Sequence, residues 1–159
     1  MNVLPPSFDN TYRGHRLALW ILGVVVVMKI LMSVNSILNG RYVARKADGL
    51  PLDSYPAGAA GTILSFLALW ALGHLLLSLL GVLALVRYRS MVPFVFALLL
   101  TEHLGRKLII QFLPMARSVS GPASAINLAL VALMIAGLVL SLWRRTDPPT
   151  RGARATTPS

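Results

Sequence analysis

The chain has 159 residues, 56% of them hydrophobic and only 13% charged, with a formal net charge of +10 and a mean hydropathy of +0.71. A soluble domain is about 45–50% apolar and about 25% charged, so lipid is part of this chain's solvent, and the length allows one domain. With no cysteine present, disulfides, thiolate metal sites and cysteine nucleophiles are excluded. Most of the Lys and Arg residues flank apolar runs, the pattern that orients a membrane protein rather than one that grips nucleic acid.

Residues 1–16 are polar, contain two prolines and end in Arg13, His15 and Arg16; they read as a short cytoplasmic tail. The first apolar run covers 17–39. A basic segment before an apolar run resembles a signal peptide, but no small-x-small cleavage site follows closely, so an uncleaved first span is expected. Gly40 stands where a helix C-terminus favours a left-handed residue. Residues 41–61 hold Pro51, Pro56 and three glycines, which predicts an irregular loop.

The second span is expected over 62–86, with Thr62 as N-cap. After Arg87-Tyr88-Arg89, Ser90 is placed to cap a third span over 91–113. Pro93 falls in that span's first turn, where a missing N–H costs nothing, and Pro114 ends it. A second connection runs over 115–124, and the fourth span over 124–143 carries no charge. Ala125, Ala129, Ala132 and Ala136 form a small-residue stripe expected to pack internally, with a dimer seam as the alternative. Residues 144–159 are basic and lack apolar side chains, so a disordered cytoplasmic tail is expected. The fold expected is all-α: a polytopic four-transmembrane-helix bundle with its membrane domain over 17–143.

Four spans put both termini on one side. Taking that side as cytoplasmic, Arg13, Arg16, Arg87, Arg89, Arg144, Arg145, Arg151 and Arg154 lie inside, eight in all, against Arg41, Arg45, Lys46 and Arg117 outside, four. Eight against four supports N-in, C-in orientation in an inner (plasma) membrane, although the Arg41–Lys46 cluster opposes it. A third segment that dips in without crossing is the alternative topology, because Met91–Thr101 alone is too short to span.

The chemistry sits where hydrocarbon is expected. Lys29 is 12 residues into the first span, His74 is 12 into the second, and Glu102 and His103 are 11 and 12 into the third. At 1.5 Å per residue each lies about 17–18 Å from its helix start, near the middle of an approximately 30 Å hydrocarbon core. On the third span Glu102, His103, Arg106 and Lys107 fall within an arc of about 140°. One-sided charge on a membrane helix faces protein or water. Lys29, Ser33 and Ser36 on the first span, and Trp70, His74, Ser78 and Gly81 on the second, form matching polar or small stripes.

Lys29, His74, Glu102 and His103 are therefore the expected polar core. Lys29 and Arg106 are the candidate partners of Glu102, and Arg106 is also within reach of a cation–π contact with Trp70. Arg106, Lys107, Trp70 and Asn35 are candidate contacts for an anion or other ligand in the outer half.

The leading functional expectation is an accessory or structural membrane component with no catalytic residue. One alternative is a ligand- or proton-conducting protein built on the Glu102/His103/Arg106 helix. Another is a b-type haem electron-transfer protein with His74 and His103 as axial ligands. Otherwise no cofactor is called for and no G-x-S-x-G or H-E-x-x-H motif is present. The expected partners are anionic lipids and a membrane protein or a second copy, not nucleic acid.

Overall fold

The computed structural model describes residues 10, 12, 14–114 and 123–143. Among them there is no strand, and four long helices carry the fold: α1 (Arg16–Leu38), α2 (Ala57–Val86), α3 (Val92–Phe112) and α4 (Ala123–Leu142). Three stretches, Arg16–Leu38, Ala57–Val86 and Ala125–Leu142, are long and apolar enough to cross a membrane. Helix α3 falls outside that set because Glu102, Arg106 and Lys107 crowd its second half. Large apolar side chains stay exposed around the outside, among them Trp20 (76%), Phe66 (67%) and Leu128 (64%). In water that surface would be an aggregation liability; in lipid it is the solvated face. Most of the tails expected over 1–16 and 144–159, and of the connection over 115–124, lies outside the described residues.

The connection between α1 and α2 is more ordered than its glycines suggest. Gly40 is helical, and the chain continues through Gly40–Tyr42 into a π-turn over Val43–Ala47. The left-handed position is Gly49 instead (φ 70°). There the chain reverses, and the Leu50 N–H bonds back to the Ala44 carbonyl at 2.8 Å. A 3₁₀ turn over Leu52–Ser54 follows. Arg45 and Asp53 pair across this cap at 2.6 Å, and Ala44 and Leu52 are buried beneath it. The expected irregular loop over 41–61 is thus corrected at both ends.

Helix α2 begins at Ala57, five residues before Thr62, because alanines 57, 59 and 60 are strong helix formers and Pro56 supplies the entry. Thr62 is no N-cap: its hydroxyl donates to the Gly58 carbonyl one turn back at 3.0 Å. At the other end a 3₁₀ turn over Arg89–Met91 leads into α3, whose N-cap is Met91 rather than Ser90. Pro93 lies in the first turn, as expected, and Leu113 closes the helix just before Pro114.

Helix α1 runs antiparallel to α2 and to α4. The His15 N–H donates to the Leu140 carbonyl at 3.1 Å, tying the start of α1 to the end of α4. Beside it the Tyr12 hydroxyl donates to the His15 carbonyl at 3.2 Å. Burial pushes that phenol up to about 12, so it stays a neutral donor.

Two glycines allow close approach. A Cβ on Gly81 of α2 would stand 2.6 Å from a Val26 methyl of α1, and a Cβ on Gly137 of α4 would overlap the Phe96 ring of α3. The apolar core is Ala18, Leu22, Val25 and Val26 of α1, Ala84 of α2, Val92, Val95, Phe96 and Leu99 of α3, and Leu130, Val131 and Met134 of α4. All of it lies at or below the level of Lys29, toward the end that carries Arg16 and Arg87. Beyond that level the described residues of the four long helices bury only Ser33, Ala60 and Ala71.

The alanine stripe of α4 does not pack internally. Ala125, Ala129, Ala132 and Ala136 are exposed, and the inward face is Leu130, Met134, Gly137 and Ser141. Leu130 and Met134 fill more of the core than alanine, and the close approach the alanines were expected to allow comes from Gly137.

Candidate functional site: an ionic cluster at the rim of the core

The cluster is built by depth. Lys29 is 13 residues above Arg16, His74 is 12 before Val86, and Glu102 is 10 after Val92. These offsets correspond to about 20, 18 and 15 Å at the helical rise. Antiparallel packing therefore places three titratable side chains from three helices at nearly one level.

Glu102 is the hub, and it is the only glutamate in the chain. Its Oε2 accepts from Lys29 Nζ at 3.2 Å. The Lys29 side chain is 5% exposed and that of Glu102 is 23%. His74 Nε2 lies 3.0 Å from Oε1, inside ion-pair range but short of good hydrogen-bond geometry. Facing a carboxylate, that nitrogen carries its proton. One carboxylate thus engages α1 with one oxygen and α2 with the other.

The two helices present these groups through local bonds. The Ser33 hydroxyl donates to the Lys29 carbonyl at 2.8 Å, and the Ser78 hydroxyl to the His74 carbonyl at 2.7 Å. Both satisfy serine within its own helix, which lets the serines line the seam without an unpaired hydroxyl.

A second set extends from the first. The Arg106 guanidinium sits 5.0 Å above the Trp70 ring, and Trp70 in turn packs on His74 with ring centroids 4.5 Å apart. A cation over indole is worth about 0.5–2 kcal/mol, more as it is desolvated. Arg106 also lies 3.2 Å from Nδ1 of His103. Guanidinium can only donate, so Nδ1 is the acceptor and the proton of the neutral ring is on Nε2. His103 is 1% exposed, and its Nε2 has no hydrogen-bond partner among the described residues.

Two expected contributors stand apart. Asn35 is exposed and takes a bond from Asn39 at 2.8 Å; six residues beyond Lys29, it is turned about 120° away. Lys107 is also exposed, on the outer flank of α3.

One residue escaped the sequence reading. Asn127 is half-buried on α4, the helix whose sequence was described only as carrying no charge. Positions 137, 134 and 130 form its buried face, and the 3-4-3 spacing carries that face on to 127. That periodicity, counted back from Gly137, is the signal that could have found it.

Among the described residues no group of three or more His, Cys, Asp or Glu side chains is arranged to hold a metal ion. No protein-family model, no curated protein and no solved structure matches the chain, so what it does is argued from this cluster alone.

Proposed function

We propose that the protein is a four-span integral membrane protein of a bacterial-type inner membrane, an accessory or structural component whose ionic cluster clasps its helices. The observation that carries this reading is the double engagement of Glu102 by Lys29 and His74. A carboxylate at that depth is costly unless neutralised, and here both oxygens already have partners within the chain. Buried polar contacts of this sort fix register and orientation between membrane helices for modest energies. Counting α3 as a span rests on its packing: Phe96 lies against Gly137 of α4 and Glu102 against α1 and α2. In this reading Glu102 and Arg106 face protein and not acyl chains, while Lys107 stays on the exposed flank.

Both ends are proposed to be cytoplasmic, with anionic lipid at the arginine-rich face and a membrane-protein partner or second copy against the exposed helices. Because the chain has no cysteine, single introduced thiols report orientation directly. In intact spheroplasts, Lys46→Cys should react with a membrane-impermeant maleimide, while Ser159→Cys should react only after lysis. The opposite pattern overturns the orientation, and labelling of both from outside overturns the even number of spans.

A conducting or ligand-binding role is favoured by one observation, the partial exposure of Glu102 and Arg106 at the open side of the core. The haem reading has less support. His74 turns Nε2 toward Glu102, and Arg106 holds His103 in the tautomer with its proton on Nε2, the nitrogen a haem iron would need bare. Purified protein supplemented with haem should show no Soret band of a bis-histidine complex. A stoichiometric band would reverse this ranking.

A further inference from the structure

Helix α3 carries charge on more than one side. Glu102, His103 and Arg106 occupy an arc of about 100°, turned to the cluster. Thr101, Leu104, Lys107, Leu108 and Gln111 fall within a second arc of about 120°, and all five are exposed. We propose that this second face docks a membrane helix of a different protein, one that carries a carboxylate opposite Lys107. The proposal rests on the accessory-component reading above, in which α3 spans, and it names the chemistry of the partner.

The first observation is an unanswered charge. Among the described residues the Lys107 ammonium makes no ion pair or hydrogen bond. Lys107 is five residues beyond Glu102, about 7–8 Å outward of the cluster and roughly as far short of the headgroups in a core about 30 Å thick. A cation at such a depth is found paired or facing water. Stretching to the headgroups is awkward here. A helical Cα–Cβ bond tilts toward the helix N-terminus, and in α3 that is the inner end, at Val92. The lysine stem therefore leaves the backbone away from the nearer headgroups.

The second observation is that this chain does not supply the counter-charge, even from a second copy. It has five acidic residues. Glu102 is held by Lys29 and His74. Asp53 pairs with Arg45 and Asp48 has an interaction of its own, and both stand in the connection between α1 and α2 rather than in a span. Asp9 precedes α1 and Asp147 follows α4 in sequence, and those helix ends are on the far side from Lys107. A second copy would bring another cation to this level and no free carboxylate, so the partner is a different protein.

The third observation is the shape of the face. Leu104 and Leu108, 47% and 54% exposed, flank Lys107. Beside them a Cβ on Gly105 would meet nothing within 4 Å, so another helix can come close to the backbone there. Gln111, one turn past Lys107, offers both a donor and an acceptor. Apolar contact alone gives membrane helices little reason to associate, because lipid tails are as apolar as leucine. The charge selects the partner, and the leucines and the glycine let it pack.

The test uses full-length protein in phosphatidylcholine vesicles with synthetic Leu–Ala membrane-spanning peptides that carry one Asp at the depth of Lys107. Association is read by energy transfer between labelled protein and labelled peptide. Saturable binding of the Asp peptide, on the order of tenfold tighter than that of its Leu counterpart, is the expected result. Lys107→Gln should remove the difference, and Lys107→Glu should move the preference to a peptide with Lys in place of Asp. Both variants should keep the thermal stability of the parent, since Lys107 is exposed and outside the clasp. Equal binding of the Asp and Leu peptides, or an Asp preference that survives Lys107→Gln, overturns the docking face. Loss of the preference on adding anionic phosphatidylglycerol overturns it too, because lipid phosphate is then the occupant. Reaction of Lys107→Cys with a membrane-impermeant maleimide would show that this face meets water, which removes the α3 span and the docking face together. An unreactive thiol with no Asp preference removes the docking face alone.

Discussion

Glu102→Leu should lose more folded protein than any other single change in the cluster, and adding Lys29→Leu should restore part of what is lost. Removing the carboxylate strands the Lys29 ammonium, whose side chain is 5% exposed, in apolar surroundings. Breaking a buried pair from one side costs about 3–5 kcal/mol, while replacing both partners by apolar groups is often close to neutral. Lys29→Leu alone should be milder, because Glu102 keeps His74 and is partly exposed. The measurement is reversible unfolding in mixed micelles, or folded yield in membranes, across the four-member cycle. A coupling of about 2 kcal/mol or more between positions 29 and 102 is expected. If the double variant is as unstable as the sum of the singles, the two side chains do not act on each other.

Gly137→Ile should be the most damaging apolar substitution. Even a Cβ at this position overlaps the Phe96 ring, and Phe96 is fully buried. Overpacking a tight contact costs about 1–3 kcal/mol for added methylenes, and here the obstacle is a rigid ring with no room to turn. The α3–α4 seam would have to separate, displacing the helix that carries Glu102 and His103. Phe96→Ala introduced with Gly137→Ile should recover most of the folded protein, since the lost ring makes the space the side chain needs. Near-normal thermal stability of the single variant would mean that α3 and α4 do not meet as described. No rescue by the second change would mean that Phe96 is not the obstacle.

The level of the ionisable residues could be read from the chain before any coordinates, because helical rise converts position into depth. Lys29, His74 and Glu102 meet at that level. The count from Thr62 does not hold for α2, which starts at Ala57; His74 still falls at that level because it stands 12 residues from Val86 at the other end. Helical faces were less legible. Asn35 was drawn in by its polarity, yet it is turned away from Lys29 and satisfied by Asn39. The alanines of α4 were expected to pack internally because they are small, but an exposed alanine costs nothing in a membrane. Side-chain size says little about direction when both inside and outside are apolar.

Glycines misled in the opposite sense. Helix α1 ends at Leu38, beside Gly40 as expected, but Gly40 is not left-handed and opens the short helix Gly40–Tyr42, whereas Gly49, unremarked, takes the left-handed turn. Glycine permits a break without requiring it, and the helix-forming run after Gly40 decides the outcome. Asn127 on α4 was passed over because only charged positions were weighed on that helix.

The most direct measurement is a rotational-echo double-resonance distance in lipid bilayers between lysine ¹⁵Nζ and glutamate ¹³Cδ. The chain holds a single glutamate, so the carbon label is unique, and Lys29→Arg identifies the nitrogen. Strong dephasing that corresponds to direct contact, in keeping with the 3.2 Å Nζ–Oε2 separation, and that disappears in Lys29→Arg, is the expected result. Absence of dephasing in the folded wild-type protein would mean that α1 and α3 do not meet through these side chains, and the clasp would have to be abandoned.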